Sequence, residues 1–428
     1  MLLLCNMICV KTMRQETTFL FVLLCPLFSL LSFGQNKSST IKEGTWQGVL
    51  HRPDSADIVF NFTTTKENNK PVWYIHNAGE RLLVDSIQHR GDSLFIQMPF
   101  FASRFALSIQ KDGSLSGKYI KSYGARQMEI PFTAMPGKPV RYAITKTPRY
   151  HISGTWQAMF EGNDTLSSYA LGEFAQNAKG IVTGTFRTAT GDYRYLEGSV
   201  SGDSLRLSGF DGGHAILFAA RIANGNTLTD GVLYSGLTGK INWAAKKNNN
   251  AKLPDSYGIT KMRPGESSLS FRFPSTDSVM ISNTDAAYRG KVVILQILGS
   301  WCPNCMDETS FLSPYYKANK SKGLEVIGLS YERTEDFTES KEALQPFRKR
   351  FDVQYPFLVT GVSVSDSLKT EKTLPQLDEI KVFPTTIFIN KKGQVDKIHT
   401  GYDGPATGVH YEEFKKEFEE EVNKLLSE

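Results

Sequence analysis

Cys302 and Cys305, set in Trp301-Cys302-Pro303-Asn304-Cys305, are the residues of this chain whose type and spacing carry chemistry. A C-x-x-C whose first cysteine stands at a helix N-terminus has its thiolate stabilised by the helix dipole and by unsatisfied backbone N–H groups. That makes it a nucleophile near neutral pH. The chemistry is thiol–disulfide exchange. A purely structural disulfide is the alternative, but closing a loop of two residues gives little stabilisation. The other cysteines of the chain, Cys5, Cys9 and Cys25, fall in a leader, so the mature protein owns one dithiol and nothing else to pair it with. The Cys302-Cys305 pair is itself the redox group, and no separate cofactor is expected.

The leader is read over residues 1–34. Lys11 and Arg14 precede an apolar run from Phe19 to Phe33, and Ser32-Phe33-Gly34 supplies small residues ahead of Gln35, the pattern of a secretory signal peptide. The run falls short of the ~20 apolar residues of a spanning helix and contains Pro26, so a retained anchor is the second reading. Met13 already begins a complete signal. Cys25 follows Val22-Leu23-Leu24 rather than a small residue, which argues against lipidation. Export puts the mature chain in a periplasmic or cell-envelope space that is oxidising, where stray cysteines would mispair.

At 428 residues the chain has room for two to three domains once the leader is set aside. With 40% hydrophobic and 22% charged residues it has the composition of a globular protein. The formal net charge is +5, of which the leader carries +1 through Lys11 and Arg14 against Glu16, and the remainder is too mild for a nucleic-acid partner. His51, His76, His89, His151 and His214 are scattered without metal-ligand spacing and read as surface residues.

Two segments ahead of the dithiol repeat each other. Gly44-Thr45-Trp46-Gln47 returns as Gly154-Thr155-Trp156-Gln157, and Gly91-Asp92-Ser93-Leu94 returns as Gly202-Asp203-Ser204-Leu205. Each copy is a series of short Val, Ile, Phe, Tyr and Thr-rich segments between turn signals such as Lys111-Asp112-Gly113 and Asn224-Gly225-Asn226, which predicts antiparallel sheet. Seven or eight strands per copy make a small barrel or sandwich with one face of the sheet buried. The Gly-x-Trp opening resembles the start of lipocalin-like barrels, and Trp46 and Trp156 are read as core residues. Whether the copies form two barrels or one shared sheet system stays open. The divisions are residues 1–34 for the signal, 35–136 and 150–245 for the β repeats, 246–256 for a linker and 257–428 for the redox domain.

From about Pro254 the pattern turns to alternating strand and helix. Lys291 to Gly299 is a continuous apolar strand that leads into Trp301-Cys302, Leu324 to Ser330 is a second, and Thr385 to Asn390 forms a hairpin with Gln394 to Thr400. Glu412 to Glu420 reads as part of a final helix with Phe414 and Phe418 turned inward. Two parallel strands followed by a hairpin, with helices on both faces, is a thioredoxin-like α/β sheet.

Residues 254–428 resemble the TlpA-like branch of thioredoxin-fold disulfide oxidoreductases of bacterial periplasms. The matching features are Tyr288-Arg289-Gly290-Lys291 before the first central strand, the Trp-Cys-x-x-Cys site, an extra segment from about Glu332 to Ile380, and Val382-Phe383-Pro384-Thr385-Thr386. The resemblance implies site residues Trp301, Cys302, Cys305, Glu308 and Pro384. Cys302 would be the exposed attacking thiolate and Cys305 the shielded resolving thiol. Pro384 would be cis and face the dithiol, and Glu308 would assist proton transfer, its alternative being a solvated carboxylate. Thioredoxins carry a buried aspartate six residues before the first cysteine. Gln296 stands there instead and cannot act as that base.

The function expected is that of an exported disulfide reductase working through a mixed disulfide, on client proteins with disulfides, as in cytochrome c maturation. A membrane electron donor of the DsbD type would recharge it. One alternative is a peroxiredoxin-like peroxidase, whose usual threonine three residues before the cysteine is replaced by Gly299. The other is a ligand- or partner-binding β module with an accessory redox domain.

Overall fold

The computed structural model describes residues 41–123, 126–162 and 164–428. The leader and its three cysteines lie outside them. Among the described residues, no helix is long and apolar enough to cross a membrane.

The first repeat is a nine-stranded antiparallel sheet. Its opening strand Gly44–Leu50 lies inside the sheet, between Ile58–Glu67 and Arg126–Pro136; the chain meanders out to one edge at Glu80–Val84, resumes at the other edge with Ser86–Arg90 and meanders back in. The two edge strands, Glu80–Val84 and Ser86–Arg90, are therefore neighbours in sequence, and the sheet curls into an incompletely sealed barrel. Alternation places Trp46, Leu50, Phe60 and Phe132 inside.

The second repeat closes fully. Gly154–Phe160 pairs with Gly239–Lys247 on one side and Tyr169–Gln176 on the other, and the pairing continues through Ile181–Thr188 and Leu196–Ser201 to complete an eight-stranded ring. Its aromatic core centres on Phe186, stacked on Phe218 at 4.4 Å and edge-on to Trp243 at 5.2 Å. A two-residue strand, Gly191–Asp192, folds back on Ile181–Thr188. The last barrel strand runs to Lys247, beyond the expected start of the linker at 246.

The repeat seen in the sequence is structural as well. Trp46 donates its indole N–H to the Lys42 carbonyl at 2.9 Å, and Trp156 donates to Ile152 at 2.7 Å, each four residues back. The Asp92 carbonyl accepts from Ile109 N–H at 2.8 Å, and that of Asp203 from Ile222 N–H at 2.7 Å.

The barrels share a core. Phe210, on the second barrel's strand Ser204–Phe210, enters the first, where its ring stacks on Phe60 at 4.4 Å and meets Tyr119 edge-on at 5.4 Å. It is 1% exposed. Phe210→Ala is expected to cost about 3 to 5 kcal/mol, as expected for emptying a closely packed aromatic site. Urea unfolding followed by tryptophan fluorescence measures it, and an unchanged midpoint would mean the ring is not part of the first barrel's core.

The C-terminal domain is a five-stranded sheet with helices on both faces. In chain order its elements are β1 (Val292–Leu298), α1 (Pro303–Asn319), β2 (Leu324–Ser330), α2 (Phe337–Arg350), β3 (Phe357–Val359), α3 (Lys369–Thr373), β4 (Thr385–Ile389), β5 (Val395–Thr400) and α4 (Val409–Ser427). The strand order is β3-β2-β1-β4-β5, with β1 to β3 parallel, β4 antiparallel to β1 and β5 antiparallel to β4. Every residue of β1 is buried. Its period of two sends Val292, Ile294 and Leu298 toward α1 and α4, and Val293, Leu295 and Ile297 toward Leu374, Leu377 and Ile380. Phe414 and Phe418 of α4 face inward, as the sequence pattern requires. Strand β3 lies inside the extra segment and is too short to show a period.

Candidate functional site

Strand β1 delivers the chain into Gly299-Ser300-Trp301, and α1 starts immediately after Cys302. Cys302 is the N-cap of that helix with extended backbone, and its sulfur accepts the Cys305 N–H at 3.2 Å. An N-cap is where backbone N–H groups are left without carbonyl partners, and the Cys302 sulfur takes one of them. Pro303 follows at the first helical position, where its missing N–H costs nothing. Both cysteines are free thiols.

One turn on, Cys305 is fully buried. Burial, the bond to Cys302 and the charges of Cys302 and Glu308 raise its thiol well above the ordinary value. The pair is thus asymmetric: the Cys302 sulfur holds the helix N-cap and accepts a backbone N–H, while the buried Cys305 thiol keeps its proton.

Glu308 is buried beneath the dithiol, which removes the solvated alternative. Its carboxylate accepts from Gln296 Nε2 at 2.7 Å and from the Thr386 hydroxyl. Burial pushes the group up to about 7, against the pull of these two donors. Gln296 therefore has a definite task. It sits on the α1 face of β1, where thioredoxins place an acid, and instead of acting as a base it holds one. Thr309 Oγ1 at 3.2 Å and Tyr355 OH at 3.4 Å fix the two ends of its amide.

Pro384 follows a cis peptide bond from Phe383. The Phe383 carbonyl lies 3.5 Å from the Cys302 sulfur, so the expected juxtaposition of this turn and the dithiol is present. Trp301 packs edge-on against Phe383 at 5.4 Å, donates to the Tyr331 carbonyl at 2.9 Å, and carries the Arg333 guanidinium 5.5 Å above its ring. A Cβ at Gly299 would lie 2.3 Å from that indole nitrogen, so the position has no room for a threonine.

The sequence reading passed over Glu332. This buried carboxylate accepts from Ser300 N–H at 2.9 Å, Ser300 Oγ at 2.5 Å and Ser330 Oγ at 2.6 Å, and burial raises its pKa. It ties the turn entering the dithiol to the end of β2. Ser-x-Glu at 330–332, directly after an apolar strand, was the available signal.

One expectation is corrected. Cys302 is 4% exposed rather than open to solvent, and the second barrel lies against the Pro303-Asn304 turn beside it. Gly191 comes so close to Asn304 that a Cβ there would fall 1.9 Å from the side-chain nitrogen. Asp192 accepts from Gly404 N–H at 2.7 Å. Arg187 grips Asp403 through two bonds of 2.8 Å, and Glu173 accepts from Arg187 at 3.1 Å and lies 3.1 Å from His410 Nε2. Arg194 pairs with Asp307 of α1 at 3.2 Å and with Glu80 of the first barrel. Burial pushes Asp307 up to about 8 and Asp192 to about 6. A cavity of about 240 Å³ opens at this junction beside Pro303 and Asn304, lined also by Asp211 and His214. His214 is not a free surface residue, since it is paired with Asp211 at 3.0 Å.

A family model described as Redoxin matches residues 263–412. The thiol-disulfide oxidoreductase ResA of Bacillus subtilis is 28% identical over 144 residues, which make up 34% of this chain and 71% of that protein. ResA of Bacillus cereus is 28% identical over 156 residues, or 36% of this chain and 79% of that one. A solved structure of a thiol:disulfide interchange protein from Chlorobium tepidum is similar with TM-score 0.29 and 21% identity, over 39% of this chain and 99% of that chain. The barrels lie outside the residues matched by the family model.

Proposed function

We propose that this protein, whose C-terminal domain is a thiol–disulfide oxidoreductase of the TlpA-like kind, works outside the cytoplasm as a reductase of client protein disulfides. The observation that carries the reading is the placement of the Cys302 sulfur at the α1 N-cap, accepting the Cys305 N–H, next to a buried thiol and a buried acid.

The exchange runs in two steps. The Cys302 thiolate attacks one sulfur of the client disulfide. That S–S bond breaks, the mixed disulfide forms, and the second client sulfur leaves as a thiolate that takes a proton. Glu308 then accepts the Cys305 proton, and the Cys305 thiolate attacks the Cys302 sulfur. The client leaves as a dithiol, and the Cys302–Cys305 disulfide carries the two electrons' worth of oxidation. During the first step the Phe383 carbonyl, beside Cys302, offers the client backbone an extended partner. Recharging the site falls to a membrane donor of the DsbD type. The space at Gly299 disfavours the peroxidase alternative, because the peroxide-orienting threonine cannot be built there.

The test is the equilibrium reduction potential of Cys302/Cys305 in residues 35–428, read through Trp301 fluorescence in redox buffers. A value near or below about −250 mV is expected of a reductant, while one near about −120 mV would make the protein an oxidant and overturn the direction proposed.

A further inference from the structure

We propose that the second barrel is a steric gate over the dithiol, and that the Arg187–Asp403 clasp decides which disulfides reach Cys302. The inference rests on Cys302 being the attacking sulfur, and it adds a selection step to the exchange described above.

Exchange requires the incoming sulfur to approach Cys302 along the line of its own S–S bond. With residues 188–194 over the Pro303-Asn304 turn and Cys302 4% exposed, a folded client cannot make that approach. The contacts that the second barrel makes at the cover are polar, namely the double bond from Arg187 to Asp403, the Glu173 bridge to His410, and the Gly404 N–H on Asp192, while Phe100 of the first barrel supplies apolar packing on Phe347 and Phe351. The closed core of the second barrel, around Trp156, Phe186, Phe218 and Trp243, contains no residue of the redox domain. Lifting the cover, with the two barrels moving together so that Phe210 stays in their shared core, breaks hydrogen bonds that water can replace and leaves the second barrel's own core whole. Two buried polar atoms at this junction, Asn304 Oδ1 and Arg194 Nε, have no hydrogen-bond partner in the closed arrangement. Hydration on opening would satisfy both, which further lowers the cost of the open form. The clasp is thus a latch: closed, it admits small reagents, and open, it admits proteins.

The experiment compares alkylation of Cys302 in the reduced full-length protein by iodoacetamide and by a polyethylene-glycol maleimide, in the wild type and in Asp403→Asn and Arg187→Ala. Both variants are expected to raise the rate with the large reagent about tenfold, the scale of one charge-assisted interaction, while the rate with iodoacetamide changes less than about twofold. Reduction of insulin should follow the large reagent. An unchanged ratio of the two alkylation rates overturns the gate. Alkylation does not depend on the direction of electron flow, so this result stands or falls separately from the reductase reading. A second measurement needs no variant. In hydrogen exchange on the wild type, the Gly404 amide is expected to exchange far faster than the amides of β1, through local opening. Protection equal to that of β1 overturns the proposal.

Discussion

Cys302→Ser is expected to abolish reduction of a client disulfide, by on the order of 10⁴-fold or more, the scale on which loss of an attacking nucleophile lowers turnover in a covalent mechanism. A serine hydroxyl has no accessible anion at neutral pH, so the helix N-terminus that stabilises a thiolate has nothing to act on. Cys305→Ser should behave differently. The attack survives and the resolution does not, so client and protein accumulate as a covalent adduct of one-to-one stoichiometry, released by added thiol. Turnover assays with insulin, together with mass spectrometry of the quenched reaction, separate the two. Activity retained in Cys302→Ser, or no adduct in Cys305→Ser, would remove the assignment of attacking and resolving sulfurs.

The second large effect concerns pH. Glu308 is raised from its ordinary value of 4.5 to about 7 by burial. Below pH 4.5 the group is protonated in the folded and unfolded chains alike. Between 4.5 and about 7 the unfolded chain releases this proton and the folded one keeps it, so the folded state loses stability as pH rises through that window. At 1.36 kcal/mol per unit, the loss is about 3 kcal/mol from this residue. Asp192, at about 6, and Asp307, at about 8, act in the same direction. Glu308→Gln should remove the Glu308 share and flatten the pH dependence of the urea midpoint. The same titration sets the resolution step, since only the ionised carboxylate can take the Cys305 proton. In the wild type, decay of the mixed disulfide should accelerate with pH and level off above about 7. In Glu308→Gln that inflection should vanish and the decay slow by about 10²-fold. A variant that keeps the inflection would place the base elsewhere.

How much of this could be read from the sequence depends on the range of the interaction. The dithiol, the strand before it and the helix after it are contiguous, and period-two burial puts Gln296 on the α1 face without any tertiary information. Glu308, three residues beyond Cys305, follows from helical spacing. Its second donor, Thr386, lies 78 residues away on β4, and only the sheet order brings it to the carboxylate. The Thr386 bond that pulls Glu308 down against its burial was therefore invisible, although the residue itself was not. The cover over Cys302 was hidden for a stronger reason. Arg187 and Asp403 are 216 residues apart in different domains, and each alone reads as an ordinary surface charge. The repeat was evident from two short matches, yet the ring closure of the second copy and the incomplete seal of the first depend on whether the mid-chain strands pair, which alternation does not encode.

The passage of Phe210 into the first barrel has a consequence for the history of the chain. A tandem duplication begins with two interchangeable copies, either of which can be lost by recombination. Once one copy supplies a core residue to the other, deletion of the second leaves a ring-sized hole around Phe60 and Tyr119. The duplicated barrels have become partners in a single inherited unit, and a gene that loses one of them loses both.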